Sequence, residues 1–371
     1  MKPPVTKTTA PAIRSTADFA RYVGLSRSAV SRVLNDQPGL RPETVARVRQ
    51  AMEDTGFTVN VHARHLRGQP TAMIGVCIED LLTPTAVSKL SGLQEVLRAR
   101  NYTALIEVLK PGASRQVLRH FFALRVDAVV FIGHFDAAEL ERSIATLTQR
   151  HLPHLVVDHP GIKRANTVTL DRVRAMAEVT AHLLALGHRR FGLLGIAGPF
   201  QTVADRLRGV SEALVRAGLD PAQCMQSLDL PNTTGDHFDY GGQLARSFAQ
   251  IADRPTAFLA VNDETAVGAI LEFQALGLRV PEDVSVVGFN NQKICRMTRP
   301  QLSSVDQQID KSMVLAADII LQQIGRPSAR RPSLHKIAPV FVVRGSTGPV
   351  PPAAHRGGAK AARGKTKIPR A

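Results

Sequence analysis

The sequence predicts an all-α module at the N-terminus, followed by a larger α/β region built on doubly wound parallel sheets. Two observations predict this division. Three short helices are indicated before residue 58, whereas from Met73 onward short apolar runs alternate with amphipathic stretches. That alternation is the βαβ rhythm of a parallel sheet. A chain of 371 residues is long enough for a small module and one or two larger domains.

The N-terminal module is predicted from helix start and stop signals. Ser15 and Asp18 are the first and last residues of a capping box, whose hydroxyl and carboxylate serve the free amides of a helix start. This helix is predicted to run to about Val23, and Gly24 supplies the turn after it. Two further helices are predicted, from Ser26 to Leu34 and from Pro42 to Gly56.

Short apolar runs separated by amphipathic stretches predict the strands of the α/β region. The runs are IGVCI (74–78), TALIEVL (103–109), DAVVFIG (127–133), HLVVD (154–158), FGLLGI (191–196), TAFLAVND (256–263) and VSVVGF (284–289). Two lobes with such sheets fit within residues 71–345. The last stretch, residues 346–371, is rich in Pro, Gly, Ala and charge, and is predicted to be a disordered basic tail.

Positive charge is concentrated at the two ends of the chain. The formal net charge is +16: residues 1–70 carry 11 Lys/Arg against 5 Asp/Glu, residues 71–348 carry 30 against 26, and residues 349–371 carry 6 against none. Cationic ends around a nearly balanced middle indicate a polyanionic partner. Nucleic acid is favoured over a membrane, because no strongly apolar helix face accompanies the charge.

Several function classes find no support in the sequence. No window approaches the ~20 uninterrupted apolar residues of a membrane span, and MKPPVTKTTAPAIR lacks the apolar stretch of a secretory signal. The segment GIAGPF (195–200) lacks the glycine spacing of a dinucleotide turn. The scattered cysteines fit a reducing cytoplasm and are Cys77, Cys224 and Cys295. We therefore predict no catalytic residue, metal site or cofactor, and we expect most histidines to be surface or packing residues.

The second predicted helix carries a polar set that packing does not explain. A helix-turn-helix needs a small residue in its first helix, a turn glycine and an apolar residue in its second helix, and this chain has Ala20, Gly24 and Val30. Arg27, Ser28 and Ser31 then begin a helix whose apolar residues are already used for packing. Such an N-terminal end enters a DNA major groove. The alternative is an ordinary solvated helix face.

Residues 15–67, including the run VSRVLN (30–35), closely resemble the DNA-binding headpiece of the lactose-repressor (LacI) family. The resemblance implies that side chains of the second helix face base edges, phosphates and neighbouring groups. These side chains are Ser26, Arg27, Ser28, Ser31, Arg32 and Asn35. One departure is Arg41, which stands where relatives often have the serine that caps the third helix.

The hinge segment VNVHARHLR (59–67) is too short for a stable isolated helix, since about 12–15 residues are usually needed. We expect it to fold only when DNA and a second copy of the chain support it, with Asn60 as a possible cap. By the resemblance, a paired leucine at Leu66 wedges into the minor groove and kinks the DNA. Without the resemblance, Leu66 would be read as an ordinary core leucine.

The resemblance continues through residues 73–345, where the family has a two-lobed fold like that of periplasmic sugar-binding proteins. The runs LGHRRFGLL (186–194) and RVPEDVSVVGF (279–289) carry it. Ligands of such sheets lie outside the carboxyl ends of strands, so polar residues just after the strands are candidate effector ligands. The candidates are Glu79, Asp158, Asn262 and Asn290, with Asp80 and Asp263 beside two of them, and Arg206, which the resemblance makes a ligand-contacting arginine. Asp158 as a turn cap and Asp263 as a helix cap are the structural alternatives.

The chemical class of the effector is predicted from one departure. Asn290 stands where many relatives have an aspartate, which leaves Arg206 one acidic neighbour fewer and favours a sugar acid or a sugar phosphate. Glu79 opposes this reading, since it would repel an anion or pair with Arg206. A neutral sugar or polyol, and the absence of any effector, remain as alternatives.

Together these features predict a cytoplasmic, nucleoid-associated, homodimeric transcription repressor that binds a near-palindromic operator in double-stranded DNA and responds to a sugar or sugar derivative. A sugar-binding receptor for transport is the alternative, and an enzyme with a fused DNA-binding module comes third. The predicted organisation is a lead-in (1–14), the headpiece (15–58), a hinge helix and linker (59–70), a two-lobed effector-binding and dimerisation domain (71–345) and the tail (346–371).

Overall fold

The computed structural model describes residue 13 and residues 15–34, 37–57, 70–228, 230–232, 235–325 and 331–350. The chain forms two compact units that divide between Thr71 and Ala72. Within the described residues, no helix is both long enough and apolar enough to cross a bilayer.

The first unit contains the helices α1 (Thr16–Val23), α2 (Arg27–Leu34) and α3 (Pro42–Thr55), as the helix signals predicted. The capping box is present: the Asp18 amide donates to Ser15 Oγ at 3.1 Å, and Ser15 Oγ donates to the Asp18 carboxylate at 2.7 Å. These bonds satisfy donors that a helix start leaves free.

Gly24 ends α1 in the left-handed conformation, with φ of +69°, which glycine adopts without steric cost. Ser26 caps α2 as predicted, because its Oγ accepts the Ala29 amide at 3.1 Å. At α3, Arg41 occupies the cap position but makes no side-chain capping bond. The core of this unit joins the three helices through Phe19, Ala20, Val23, Val30, Val33, Val48, Ala51 and Phe57.

The second unit contains two α/β lobes, each built on one sheet. The first sheet has the parallel strands β1 (Met73–Ile78), β2 (Thr103–Val108), β3 (Ala128–Ile132), β4 (His154–Val157), β5 (Asn166–Leu170) and β11 (Leu334–Ile337), in the order β11-β5-β4-β3-β1-β2. Its helices are α4 (Pro84–Ala99), α5 (Ser114–Leu124), α6 (Ala137–Gln149) and α12 (Ile309–Gly325). Buried residues of α4 and α12 share one apolar cluster with β1, β3 and β4.

The second sheet has the strands β6 (Phe191–Leu194), β7 (Met225–Ser227), β8 (Ala257–Ala260), β9 (Ser285–Phe289), β10 (Ser303–Asp306) and β12 (Val340–Val342), in the order β12-β10-β9-β8-β6-β7. All pairs are parallel except β10 with β12. Its lobe contains α7 (Arg172–Ala185), α8 (Gln201–Arg216), α9 (Pro221–Cys224), α10 (His237–Ala249), α11 (Asp263–Ala275) and a 3-10 turn (Lys293–Arg296).

The chain passes from one sheet to the other after β5, after β10 and after β11. The helix that follows each of the first two passages packs on the sheet of the lobe it enters: α7 on the second sheet and α12 on the first. The lobes are therefore interleaved in sequence. Residues at the ends of β1, β3 and β4 can face residues at the ends of β8 and β9, although more than 100 positions separate them.

Two features of this unit differ from the sequence prediction. Each predicted run contains a strand, but β5, β7, β10, β11 and β12 were missed, because they are three to five residues long and mostly polar or edge strands. The prediction that the tail begins at residue 346 is wrong. Ser346 is fully buried, and the Val350 amide donates to Leu186 O at 2.9 Å, so residues 346–350 complete the second lobe.

Candidate functional site

The N-terminal end of α2 presents polar side chains to solvent, as predicted. Ser26, Arg27 and Ser28 are exposed, whereas Val30 and Val33 point into the core of the first unit. The apolar half of the helix therefore fixes its packing and leaves the polar residues of its first turn free to meet a partner.

The remaining predicted DNA ligands differ in their surroundings. Ser31 is partly buried, and Arg32 is exposed but already donates from Nη2 to Pro38 O at 3.0 Å. Arg32 thus stabilises the connection between α2 and α3 with one of its five N–H donors. Its other donors can still bind a partner. The predicted ligands Asn35, Asn60 and Leu66 lie outside the described residues.

The predicted effector ligands lie where the strands of the two lobes end. Glu79 and Asp80 follow β1, Asp158 follows β4, Asn262 follows β8 and Asn290 follows β9. The two lobes meet in this region. Gln292 Nε2 of the second lobe lies 3.4 Å from Thr85 Oγ1 of the first, and the rings of His134 and Phe200 are 5.6 Å apart.

Asp158 is the centre of a buried charge cluster. It is 3% exposed, and its carboxylate forms ion pairs with Lys89 of α4 and with Arg172 Nη2 of α7, the latter at 3.0 Å. Arg172 Nη1 also donates to Thr169 Oγ1 at 2.9 Å. Burial alone would raise the pKa of Asp158, but the charges of Arg172 and Lys89 hold that pKa well below its usual value. The predicted alternative of a simple turn cap does not describe this residue.

Glu79 and Asp80 have different local roles. Glu79 accepts a hydrogen bond from the His134 amide, and burial raises the pKa of its carboxyl group. Asp80 Oδ1 accepts the amides of Leu82 and Thr83 at 2.7 and 2.6 Å, which fixes the turn into α4. Among the ion pairs of the described residues, none joins Glu79 to an arginine.

Arg206 is a buried cation without a carboxylate partner among the described residues. Its side chain is 8% exposed, Nη1 donates to Val261 O at 2.7 Å, and the guanidinium carbon lies 3.9 Å from the centroid of the Phe289 ring. Nε is buried without a hydrogen-bond partner. Burial, reinforced by the charge of Arg172, lowers the pKa of Arg206 to about 9.

The asparagines at this edge already make protein contacts. Asn262 caps α11, because its Oδ1 accepts the Thr265 amide at 2.9 Å, and Asn290 Oδ1 accepts from Gln307. Asp263 does not have the predicted alternative role of a helix cap. It is fully buried and accepts from the Gln292 amide at 2.8 Å and from Ser304 Oγ at 2.5 Å. Asn262 and Asn290 therefore offer a ligand chiefly their amide nitrogens.

A cavity of about 420 Å³ opens between the lobes beside this cluster. Among the residues that line it are His134 and Asp158 of the first lobe and Phe200 and Thr202 of the second. Burial, together with nearby cations including Arg172, lowers the pKa of His134 to about 3, so its imidazole is neutral at physiological pH. A volume of this size holds a compound of roughly monosaccharide dimensions.

Sequence reasoning missed Lys89, His134 and Arg172. Lys89 carried a signal, because it shares the core-facing side of α4 with Ala86, Leu90 and Leu93. Arg172 could not be placed because β5, the strand before it, was not recognised. No group of His, Cys, Asp and Glu side chains in the described part of the chain is arranged to hold a metal ion.

Two family models match the chain. One, described as "Bacterial regulatory proteins, lacI family", matches residues 16–60, and the other, "Periplasmic binding protein-like domain", matches residues 180–347. The first covers the exposed end of α2, and the second covers Arg206, Asn262 and Asn290 of the second lobe.

Curated relatives and solved structures agree with these matches. Catabolite control protein A of Staphylococcus aureus (strain N315) is 29% identical over 297 residues, which are 79% of this chain and 87% of that protein. The transcription regulator GntR of Chromobacterium violaceum is 29% identical, covers 74% of this chain and 99% of its own, and has a TM-score of 0.63. The lac repressor dimer bound to operator and the anti-inducer ONPF shares the fold, with a TM-score of 0.76, 23% identity and coverage of 90% of this chain and 99% of that one.

Proposed function

The chain belongs to the LacI family of bacterial regulatory proteins, and from this premise we propose that it is a DNA-binding transcription repressor controlled by a small molecule. The observation that carries the proposal is the exposed polar first turn of α2 on a helix whose apolar residues are buried. In a helix-turn-helix, this is the part of the second helix that contacts base edges.

The DNA contacts divide into two groups. Arg27 and Ser28 read base edges, because they are exposed at the start of α2. Ser26, Ser31, Arg32 and Asn35 hold phosphates and fix the register of the helix. Asn60 and Leu66 belong to the hinge, where Leu66 wedges into the minor groove of the bound operator.

The effector binds between the two lobes of the second unit and is a sugar or a sugar derivative. The proposed ligands lie at the edge where the strands of both lobes end, and are Glu79, Asp158, Arg206, Asn262 and Asn290. Elements of both lobes meet there, so a ligand held by both changes their closure. Closure alters DNA affinity only if the ligand prefers one of the two states.

A homodimer completes the proposal, since a two-fold protein imposes a near-palindromic site. In the predicted organisation, residues 15–58 read DNA, residues 59–70 form the hinge, and residues 71–345, extended here to 350, bind the effector and dimerise. We place the repressor on DNA in the cytoplasm and assign it no catalytic reaction, as its relatives are regulators. A transport receptor would have no use for the module matched at residues 16–60.

The proposal is tested with the full-length protein and DNA that it selects from a random pool. We expect a near-palindrome, bound with an affinity that falls roughly 10³-fold between about 50 and 200 mM salt, because lysines and arginines displace condensed counterions. Fluorescence anisotropy measures both affinities. Failure to enrich any sequence, or binding that salt does not weaken, would refute it.

A further inference from the structure

Arg206 and its surroundings bear on the chemical class of the effector. Arg206 is more than nine-tenths buried, its Nε has no hydrogen-bond partner, and no carboxylate in the described residues forms an ion pair with it. The contact with Phe289 and the bond to Val261 O hold the guanidinium in place without neutralising its charge. A buried charge is costly unless it is paired, so this position favours a ligand that brings an anion.

The charges around Arg206 also favour an anionic ligand. Asp158, the buried carboxylate whose charge acts on Arg206, is already shared by Lys89 and Arg172. Glu79 accepts the His134 amide, and burial raises the pKa of its carboxyl group. The cluster therefore has three cations and two carboxylates. Its members outside an ion pair in the described residues are Glu79, whose carboxylate accepts the His134 amide, and Arg206.

The start of α8 adds donors for an anion. The N-cap position, Phe200, provides no side-chain hydrogen bond, and the amides of Gln201 and Thr202 have no acceptor among the described residues. Both residues line the 420 Å³ cavity, and Arg206 lies one helical turn beyond Thr202 on the same face of the helix. Free amides at a helix start and the helix dipole both stabilise an anion.

The rest of the cavity suits hydroxyl groups. Of its lining carboxylates, Asp136 caps α6 by accepting the Glu139 amide at 2.8 Å and Asp158 is paired, so Glu141 remains to accept a hydroxyl. His159 Nδ1 is buried without a partner, and His134 is neutral. Arg206 is not itself among the lining residues and lies next to the Thr202 side of the cavity. That side therefore favours an anion, and the side with Glu141 favours a polyhydroxylated body.

We infer that the effector is an acidic, polyhydroxylated compound of monosaccharide size, whose carboxylate or phosphate binds Arg206 and the free amides at the start of α8. This inference rests on the proposed function, because it assigns the ligand class of the same inter-lobe site. Asn262 and Asn290, which offer amide nitrogens, can donate to its hydroxyls or to the acid group.

The test uses calorimetry on the intact wild-type protein with matched pairs of compounds. The effect of a carboxylate is measured by comparing D-gluconate with D-sorbitol and D-glucuronate with D-glucose. The effect of a phosphate, the second arm of the test, is measured by comparing glucose 6-phosphate with glucose. We expect at least one acid to bind roughly 30-fold or more tightly than its neutral counterpart, as charge-assisted hydrogen bonds imply. The arm that binds identifies the anion, and this comparison requires no variant.

Two variants locate the effect. Arg206→Gln should abolish the preference for the acid, whereas Arg208→Gln should preserve it, because Arg208 is exposed on the same helix and pairs with Asp205 at 3.2 Å. Thermal melts followed by circular dichroism verify that each variant is folded. A preference that survives in a folded Arg206→Gln variant would overturn the assignment to this arginine.

Measuring DNA binding distinguishes a failure of this inference from a failure of the proposed function. If a neutral compound binds as tightly as its acid and changes the affinity for selected DNA, the inference fails and the proposed function stands. If none of the acids binds while the protein still recognises its selected DNA, the inference fails as well. If no DNA is selected, the proposed function fails, whatever the calorimetry gives.

Discussion

Arg172 Nη2 donates to Asp158 Oδ1 at 3.0 Å across two elements of different lobes: Asp158 follows β4 of the first sheet, and Arg172 opens α7 of the second lobe. Lys89 of α4 forms an ion pair with the other oxygen of the same carboxylate. The paired carboxylate thus ties the sheet of one lobe to a helix that packs on the other. Its neutralisation should affect both the stability of this unit and the relation between its lobes.

Replacing Asp158 with Asn should destabilise the second unit strongly. The change leaves Lys89 and Arg172 buried without a counter-charge, and breaking such a pair costs about 3–5 kcal/mol. Urea denaturation monitored by circular dichroism measures the free energy of unfolding. The control is Asp253→Asn, which removes an exposed partner of Arg190 and should cost less than about 1 kcal/mol. Equal losses in the two variants would contradict the role given to Asp158.

The stability of the second unit should fall as the pH drops from about 6.5 towards 5. His134 has a pKa of about 3 in the folded chain, well below the value of an unfolded histidine, so only the unfolded state gains a proton in this range. The stabilisation is complete above the unfolded pKa and is lost as the pH falls towards the folded one. The contribution of His134 amounts to at most about 2 kcal/mol at pH 5. His134→Asn should flatten the dependence of the urea midpoint on pH, and an unchanged slope would show that His134 protonates freely.

Gly24→Ala should loosen the first unit. Gly24 has φ of +69°, where an alanine costs about 1–2 kcal/mol, and an added Cβ would lie 3.2 Å from Arg47 Nη2. Hydrogen exchange of the α1 and α2 amides should become roughly 5- to 30-fold faster. Gly161→Ala serves as the control, because its backbone is not left-handed and its surroundings are open. Unchanged exchange in Gly24→Ala would mean that the turn tolerates a side chain.

Leu66→Ala should weaken binding to selected DNA much more than binding to random DNA, because only a kinked operator uses a minor-groove wedge. Anisotropy with the two duplexes measures the ratio. Equal losses on both duplexes would show that Leu66 merely packs. This prediction follows from the family resemblance, as Leu66 lies outside the described residues.

The sequence alone predicted the elements that have strong local signals. Local signals located the capping box at Ser15 and the turn at Gly24 correctly, because each depends on neighbouring residues. They also located the apolar runs that contain β1, β3, β4, β8 and β9. Among the five missed strands, β5, β7 and β10 carry mostly polar side chains, and β11 and β12 are short strands at the edges of their sheets. Ser346 was assigned to the tail because composition cannot reveal that its hydroxyl bonds to strand residues 43 and 60 positions away.

The candidate effector site was predicted in position but not in detail. Residues just after predicted strands came together, since parallel strands end at one edge of a sheet. The partners of those residues depend on the passages between the lobes, which local patterns do not encode. Arg172, for example, pairs with Asp158 because α7 begins where the chain changes lobes.

The base preference of α2 tests the central claim most directly. DNA is selected from a random pool by the wild-type chain, by Arg27→Ala and by the control Arg216→Ala, whose arginine is exposed on α8. We predict that wild type and Arg216→Ala select the same near-palindrome, whereas Arg27→Ala relaxes the preference at one position in each half-site and loses about 1–3 kcal/mol there. Identical preferences in all three proteins would contradict the assignment of α2 as the helix that reads DNA.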